Sequence, residues 1–259
     1  MENNIITALL LSFLASSATA LGGLLSFVVR KDNFNVLALG LGFSAGVMLF
    51  VSFMEILPQS QQSFASFLSA KSAGLAASGC FFAGVCFAAF ADACLHGKQH
   101  LEDKSLSKEN KLKRLGIFTA IALTLHNIPE GLATFMSALQ SPALGISVAI
   151  AVAVHNIPEG IAVSLPILHS TGSRKKAFLF AALSGLAEPF GALAGFLFLR
   201  AVLNNATFGV LFGAVAGIMV YISLDELLPT AHEYGKPHQV IWGVIGGMML
   251  MSLSLQLLS

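Results

Sequence analysis

Residues 121–134 read IALTLHNIPEGLAT and residues 150–163 read IAVAVHNIPEGIAV, so one six-residue string, His-Asn-Ile-Pro-Glu-Gly, stands at His126–Gly131 and again at His155–Gly160. Each copy lies in the middle of a long apolar run. A charged side chain at the centre of a membrane helix costs about 2.5–3.5 kcal/mol on insertion scales. A glutamate held there twice, with a histidine beside it each time, requires a function, and ordinary core histidines next to chance prolines do not supply one. The chain carries metal-binding side chains into lipid.

The rest of the sequence has the composition that such a placement needs. Hydrophobic residues make up 56% of the 259 and charged residues 10%, against about 25% charged in an ordinary soluble domain. Apolar runs fall at about 5–29, 36–57, 72–95, 116–139, 143–168, 175–199, 206–228 and 238–258, each long enough to cross about 30 Å of hydrocarbon as a helix. The expected fold is all-α: an integral membrane bundle of eight transmembrane helices forming one transmembrane domain over residues 1–259, with no room for a separate soluble domain. Residues 5–29 lack the basic start of a signal peptide and exceed the usual length of its apolar stretch, so they read as the first span.

An even number of spans puts both termini on one side. Connections 1–2, 3–4, 5–6 and 7–8 hold twelve of the 14 Lys and Arg residues, and the opposite side has only Lys71 and Arg200. The positive-inside rule then places both termini outside the cytoplasm. The longest connection, about 96–115, is polar and rich in Lys, as expected of a mobile cytoplasmic loop. Cys80, Cys86 and Cys94 share one apolar stretch with no CxxC pair, which indicates neither a disulfide framework nor a thiolate metal site. A net charge of +1 points to no nucleic-acid partner.

Within each string the histidine and glutamate are four residues apart, so His126 with Glu130, and His155 with Glu159, project from one helix face about one turn apart. Asn127 and Asn156 add amide oxygens on an adjoining edge. Pro129 and Pro158 cannot donate to the carbonyls of Leu125 and Val154, so each helix is expected to kink and to free a backbone oxygen at ligand depth. The tight turn around Gln140, Ser141 and Pro142 makes helices 4 and 5 an antiparallel hairpin. Counted from Ser141 the strings lie about 13 residues back and 16 forward, or about 20 and 24 Å along the axis, which is nearly one depth. Glu188, followed by Pro189, stands halfway along the 175–199 run and joins the same layer. No Lys or Arg occupies the interior of any run, so a divalent cation is the natural counter-charge. Imidazole, carboxylate and amide oxygen without thiolate suit Zn(II), Fe(II), Mn(II), Co(II) or Cd(II) better than Cu(I).

Weaker constellations lie elsewhere. Glu55 with Pro58, and Asp225 and Glu226 with Pro229, fall at the ends of the second and seventh runs. They are expected near the external and cytoplasmic mouths respectively, either as ion collection points or as solvated helix ends, with His232 and Glu233 extending the cytoplasmic group. Asp92 reads as interfacial, His169 as solvent-exposed, and Trp242 and Tyr221 as interface anchors.

The paired string on consecutive helices, the Glu-Pro on the next, the eight spans and the outside termini resemble the ZIP family of divalent-metal transporters, over the whole length and in its short bacterial form without an extracellular domain. The resemblance implies a binuclear site midway across the membrane, with His126, Glu130, His155 and Glu159 at one position and Asn127, Glu130, Asn156, Glu159 and Glu188 at the next. It adds Met48 as a candidate ligand from helix 2, while the family's histidine-rich loop is reduced here to His96 and His100. The function it implies is uptake, by alternating access across the cell inner (plasma) membrane, of divalent cations, chiefly zinc, with iron(II), manganese, cobalt or cadmium as further candidates. No catalytic cofactor and no enzymatic activity are expected; the partners are metal ions and lipid, with a homodimer left open. Coordination needs deprotonated carboxylates and neutral histidines, so uptake is expected to weaken as the outside acidifies. The alternative is a membrane di-metal carboxylate oxidase, but such sites use Glu-x-x-His spacing. A metalloprotease would need the HExxH order.

Overall fold

The computed structural model describes residues 2–96, 107–140, 142–194, 196–197 and 204–258. Its elements are all helical: α1 Glu2–Val28, α2 Phe34–Val51, a π-helical turn Ser52–Ile56, α3 Leu57–Ala65, α4 Ala70–His96, α5 Lys108–Gln140, α6 Pro142–Thr171, α7 Arg174–Gly185, α8 Ala187–Ala194, α9 Asn205–Tyr221, a second π-helical turn Ile222–Leu227, α10 Leu228–Tyr234 and α11 Pro237–Leu258. Local chemistry sets several of these limits. Asn33 Oδ1 accepts from the Val36 N–H at 3.3 Å to start α2, and Asn204 Oδ1 accepts from Thr207 N–H at 3.0 Å to start α9. Gly172, at φ 65°, stops α6, and Ser173 caps α7 through Lys176 N–H at 3.3 Å. A left-handed residue is the usual helix stop and Ser the usual start, so one Gly-Ser pair turns the chain between two spans.

Among the described residues seven stretches are long and apolar enough to cross a membrane: Ile5–Val28, Phe34–Ala65, Ala70–Ala93, Gly145–Thr171, Arg174–Ala194, Asn205–Tyr234 and Pro237–Leu257. Their outer faces show large apolar side chains, with Leu14, Phe82, Phe90 and Trp242 each more than 60% exposed, as lipid contact requires. α5 is not one of the seven. At 33 residues it is long enough, but its first turns hold Lys108, Glu109, Lys111, Lys113 and Arg114 and its middle holds the polar string. Much of the connection read as a loop over 96–115 is therefore helix, since α4 runs to His96 and α5 starts at Lys108. Residues 97–106, with His100, Lys98 and Lys104, lie outside the described residues.

The helices fall into two groups. α1, α5, α6 and the α7–α8 pair pack mainly on one another, while α2–α3, α4, α9–α10 and α11 form the second group, and the groups meet chiefly where α2 crosses α6. Glycine permits the closest crossing in the first group. A Cβ on Gly160 would fall 2.0 Å from the Thr19 carbonyl oxygen, and one on Gly22 would fall 2.0 Å from that of Ile157, so α1 and α6 touch backbone to backbone.

Two expectations about helix shape change. α5 and α6 run unbroken through Pro129 and Pro158, so the strings do not interrupt their helices. Irregularities lie instead at Leu186, between α7 and α8, and at the π turns Ser52–Ile56 and Ile222–Leu227. These turns share a pattern, Met48-x3-Ser52-x2-Glu55-x2-Pro58 and Met219-x3-Ser223-x2-Glu226-x2-Pro229. In each, the serine hydroxyl donates to the methionine carbonyl, at 2.6 and 2.8 Å. The residue before proline donates five residues back, Leu57 N–H to Ser52 O and Leu228 N–H to Ser223 O. Proline has no N–H and crowds the carbonyl four residues earlier, and one extra residue in the turn relieves that clash. Glu55, Asp225 and Glu226 thus lie inside continuous helical stretches of 32 and 30 residues and not at helix ends.

Candidate metal site

The two strings meet across the α5–α6 hairpin. Glu130, His155 and Glu159 each offer a ligand atom, and these atoms all lie within 4.8 Å of one another. All three side chains are buried, Glu159 completely. His155 Nε2 lies 2.8 Å from Glu130 Oε1, so the histidine of the second string is paired with the glutamate of the first. His155 Nδ1 is buried and has no hydrogen-bond partner among the described residues. The i, i+4 spacing gives His155 and Glu159 one face of α6, and the hairpin turns that face to Glu130 on α5. The side chain of His126, the remaining residue of the first position, lies outside the described residues.

The asparagines are oriented by donor bonds to backbone carbonyls. Asn127 Nδ2 donates to Ser184 O at 2.9 Å, and Asn156 Nδ2 donates to Ala15 O at 3.1 Å and also to Glu188 Oε1. Both amides are fully buried. With the NH2 ends tied to α7, α1 and α8, the oxygens Asn127 Oδ1 and Asn156 Oδ1 are left buried without a hydrogen-bond partner among the described residues. A buried amide oxygen without a donor loses about 1–3 kcal/mol unless something positive meets it, and a cation does so.

Glu188 is fully buried and comes in on α8, next to the break at Leu186. Its approach depends on the last letter of the string. A Cβ on Gly131 would fall 2.1 Å from the Glu188 carbonyl oxygen, so only glycine lets α8 lie this close to α5. Gly131 seats α8 and Gly160 seats α1, so the last residue of each string serves helix approach. Ser44 was missed in the sequence. Its hydroxyl, buried on α2, donates to Pro158 O at 2.7 Å, inside the second string. Met48, raised as a further ligand, is fully buried in the main hydrophobic core.

Electrostatics favours a cation in this layer. Two carboxylate charges within 4.8 Å of one another repel by about 3 kcal/mol or more at an effective dielectric of about 20. A divalent ion between them turns that repulsion into attraction, and carboxylate, imidazole and amide oxygen are the ligands that ions of the zinc and iron(II) type accept.

A cavity of about 1000 Å³ opens at the end of the bundle where α3 and α5 finish and α6 and α9 begin, lined by Glu55, Gln59, Ser137, Ser147 and Phe212 among others. Below it a much smaller space of about 40 Å³ is lined by Glu55, Gln59, Glu130, His155 and Phe212 together with apolar side chains. The site therefore has a funnel-shaped approach from that end.

Towards the opposite end lies a second acidic group. Asp92, Asp225 and Glu226 place carboxylate oxygens within 4.8 Å of one another, and the Tyr221 hydroxyl lies 3.0 Å from Asp225 Oδ2 and 3.4 Å from Asp92 Oδ2. Asp92, close to the end of α4, is buried, because α4 packs along α9 and turns it inward. His169 is likewise buried and not solvent-exposed. α6 continues to Thr171, and the His169 ring is held between Leu165 O at 2.9 Å and Asn33 O at 3.3 Å.

A helical bundle with apolar outer faces and a buried carboxylate–histidine cluster defines an integral membrane protein with cation-ligand side chains inside its helices. Comparison with known proteins says which kind. A family model described as ZIP zinc transporter matches residues 95–255. Proteins named zinc transporter ZupT align over nearly their full length: one from Streptococcus mutans is 48% identical over 99% of each chain, one from Chlorobium luteolum 50% identical over 99% of this chain and 100% of its own, and one from Clostridium perfringens 44% identical over 98% and 97%. The chain belongs to the ZIP zinc transporter family. It is thus a transporter and not an enzyme, and the oxidase alternative has no support.

Proposed function

We propose that this protein takes up divalent cations, chiefly zinc, through a midplane site built from His126, Asn127, Glu130, His155, Asn156, Glu159 and Glu188. What carries the reading is the convergence of Glu130, His155 and Glu159 within 4.8 Å at the foot of a cavity open to one end of the bundle. The two glutamates, one from each string, are the shared ligands. His126 and His155 complete the first position, and Asn127, Asn156 and Glu188 complete the second. Iron(II), manganese, cobalt and cadmium fit the same hard-to-borderline donor set and are further cargo.

In this reading α5 is the eighth span, its polar string shielded from lipid by α6 and α8, and both termini lie outside the cytoplasm of a cell whose inner membrane holds the protein. The funnel opens at the end poor in Lys and Arg, so the conformation faces outward. The ion descends from it, exchanges water for the carboxylates and imidazoles, and is released towards the basic, cytoplasmic end when the helices rearrange. Zinc flux into sealed proteoliposomes containing a metal-sensitive dye tests this. The Glu130→Ala, Glu159→Ala double variant is expected to show none above empty liposomes, and flux equal to that of the unaltered protein overturns the reading.

A further inference from the structure

Glu55 belongs to neither string, yet it is the carboxylate shared by the linings of the two cavities above the site. The five residues common to both linings are Glu55, Gln59, Ala133, Val148 and Phe212, so Glu55 and Gln59 are the polar side chains of an otherwise apolar ring. Glu55 Oε2 is buried and takes no hydrogen bond among the described residues. Its position is a consequence of the π turn. The extra residue between Ser52 and Ile56 sets the phase of the helix beyond it, and Gln59, four residues on, adds its amide on the same face.

The two volumes indicate what happens at this ring. The outer cavity of about 1000 Å³ takes a hydrated ion with its full shell, since water occupies about 30 Å³ per molecule in the liquid. The inner space of about 40 Å³ holds about three or four waters at the roughly 10–15 Å³ of cavity that each needs, fewer than the six of a hexahydrate. Part of the shell is therefore shed between them. Alanine, valine and phenylalanine cannot replace the lost oxygens, whereas a carboxylate and an amide can.

We propose that Glu55, supported by Gln59, is an outer cation position, where an incoming divalent ion exchanges part of its water for protein oxygen before it reaches Glu130 and His155. The inference rests on the transport reading above. It assigns Glu55 to capture of the ion and not to the midplane site, so its loss weakens loading more than turnover.

The test is zinc flux into proteoliposomes as a function of external zinc, with Glu55→Gln and Glu55→Cys beside the unaltered protein. Removing an interaction made only on the way in raises the half-saturating concentration and spares the maximal rate, so Glu55→Gln is expected to raise the former about tenfold and change the latter by less than about twofold. Thiolate favours softer ions than carboxylate does. Glu55→Cys is therefore expected to shift the ratio of half-saturating concentrations towards cadmium over zinc, about tenfold relative to the unaltered protein. Cys80, Cys86 and Cys94 are common to both proteins and cancel from that ratio. The proposal is overturned if Glu55→Gln leaves the half-saturating concentration unmoved, or if Glu55→Cys moves zinc and cadmium alike, as simple charge attraction or a packing defect would. Absence of flux in the unaltered protein would instead sink the transport reading.

Discussion

His155 Nε2 lies 2.8 Å from Glu130 Oε1, which binds the histidine of one string to the glutamate of the other across the α5–α6 hairpin. Neither string is therefore a site by itself. Replacing His155 with alanine removes one ligand and leaves Glu130 without its neighbour, and the expected result is a rise of about tenfold to a hundredfold in the zinc concentration needed for half-maximal flux. Glu130→Ala is expected to be more severe, because the proposed site shares its carboxylate between both cation positions. Flux titration in proteoliposomes measures both, and a His155→Ala variant indistinguishable from the unaltered protein would refute the pairing as functional.

Gly131 and Gly79 are a matched pair for testing the helix approach. A Cβ at Gly131 meets the Glu188 carbonyl oxygen at 2.1 Å, whereas one at Gly79 has nothing within 4 Å. Gly131→Ala is expected to cost about 1–3 kcal/mol through overpacking and to displace α8 with Glu188, lowering the melting temperature in detergent and the zinc flux together. Gly79→Ala is expected to be neutral or stabilising by up to about 1 kcal/mol, as alanine is the better helix former. Equal behaviour of the two variants would show that α5 and α8 do not need their close contact.

Asn127 holds Ser184 O through its NH2 group at 2.9 Å. Asn127→Asp keeps the size and removes the donor, setting carboxylate against carbonyl. The loss is expected to be about 1–3 kcal/mol of stability, with a clear fall in flux. A thermal melt in detergent beside a flux assay separates this from Asn127→Leu, which also loses the amide oxygen offered to the cation and is expected to transport least.

Ser44 reaches from α2 to Pro158 O at 2.7 Å, one of the bonds between the two helix groups. Ser44→Ala removes that bond while Pro158 O stays within the helical ladder of α6, and about 0.5–1.5 kcal/mol of stability is expected to be lost. Ser44→Thr, which keeps the hydroxyl, is expected to recover part of it. Melting curves decide, and an unchanged Ser44→Ala melt would show that the bond contributes nothing.

Several features needed only residues close in sequence. The i, i+4 pairs within HNIPEG were legible because a helix puts such residues on one face whatever surrounds it, and the apolar runs were legible because their length alone matches a bilayer. Glu188 could be assigned to the same layer from its distance along its run. The matching Met-Ser-Glu-Pro patterns at 48–58 and 219–229 were also present to be read, as an internal repeat whose shared proline distorts the helix in the same way each time.

What depends on contacts between distant residues was not legible. Glu55, Asp225 and Glu226 looked like helix ends because hydropathy falls off there, but hydropathy says nothing of a helix that continues through a π turn into polar sequence. His169 looked exposed for the same reason, and it is packing by the chain around Asn33 that buries it, as α9 buries Asp92. The sequence by itself determined a helical membrane protein that brings two His-Asn-Ile-Pro-Glu-Gly strings to one layer, because helical period and bilayer thickness are local constraints. Only the tertiary structure decided which atoms meet in that layer, that Gly131 admits Glu188 to it, and that Glu55 stands above it, because those depend on how closely helices far apart in the chain approach one another.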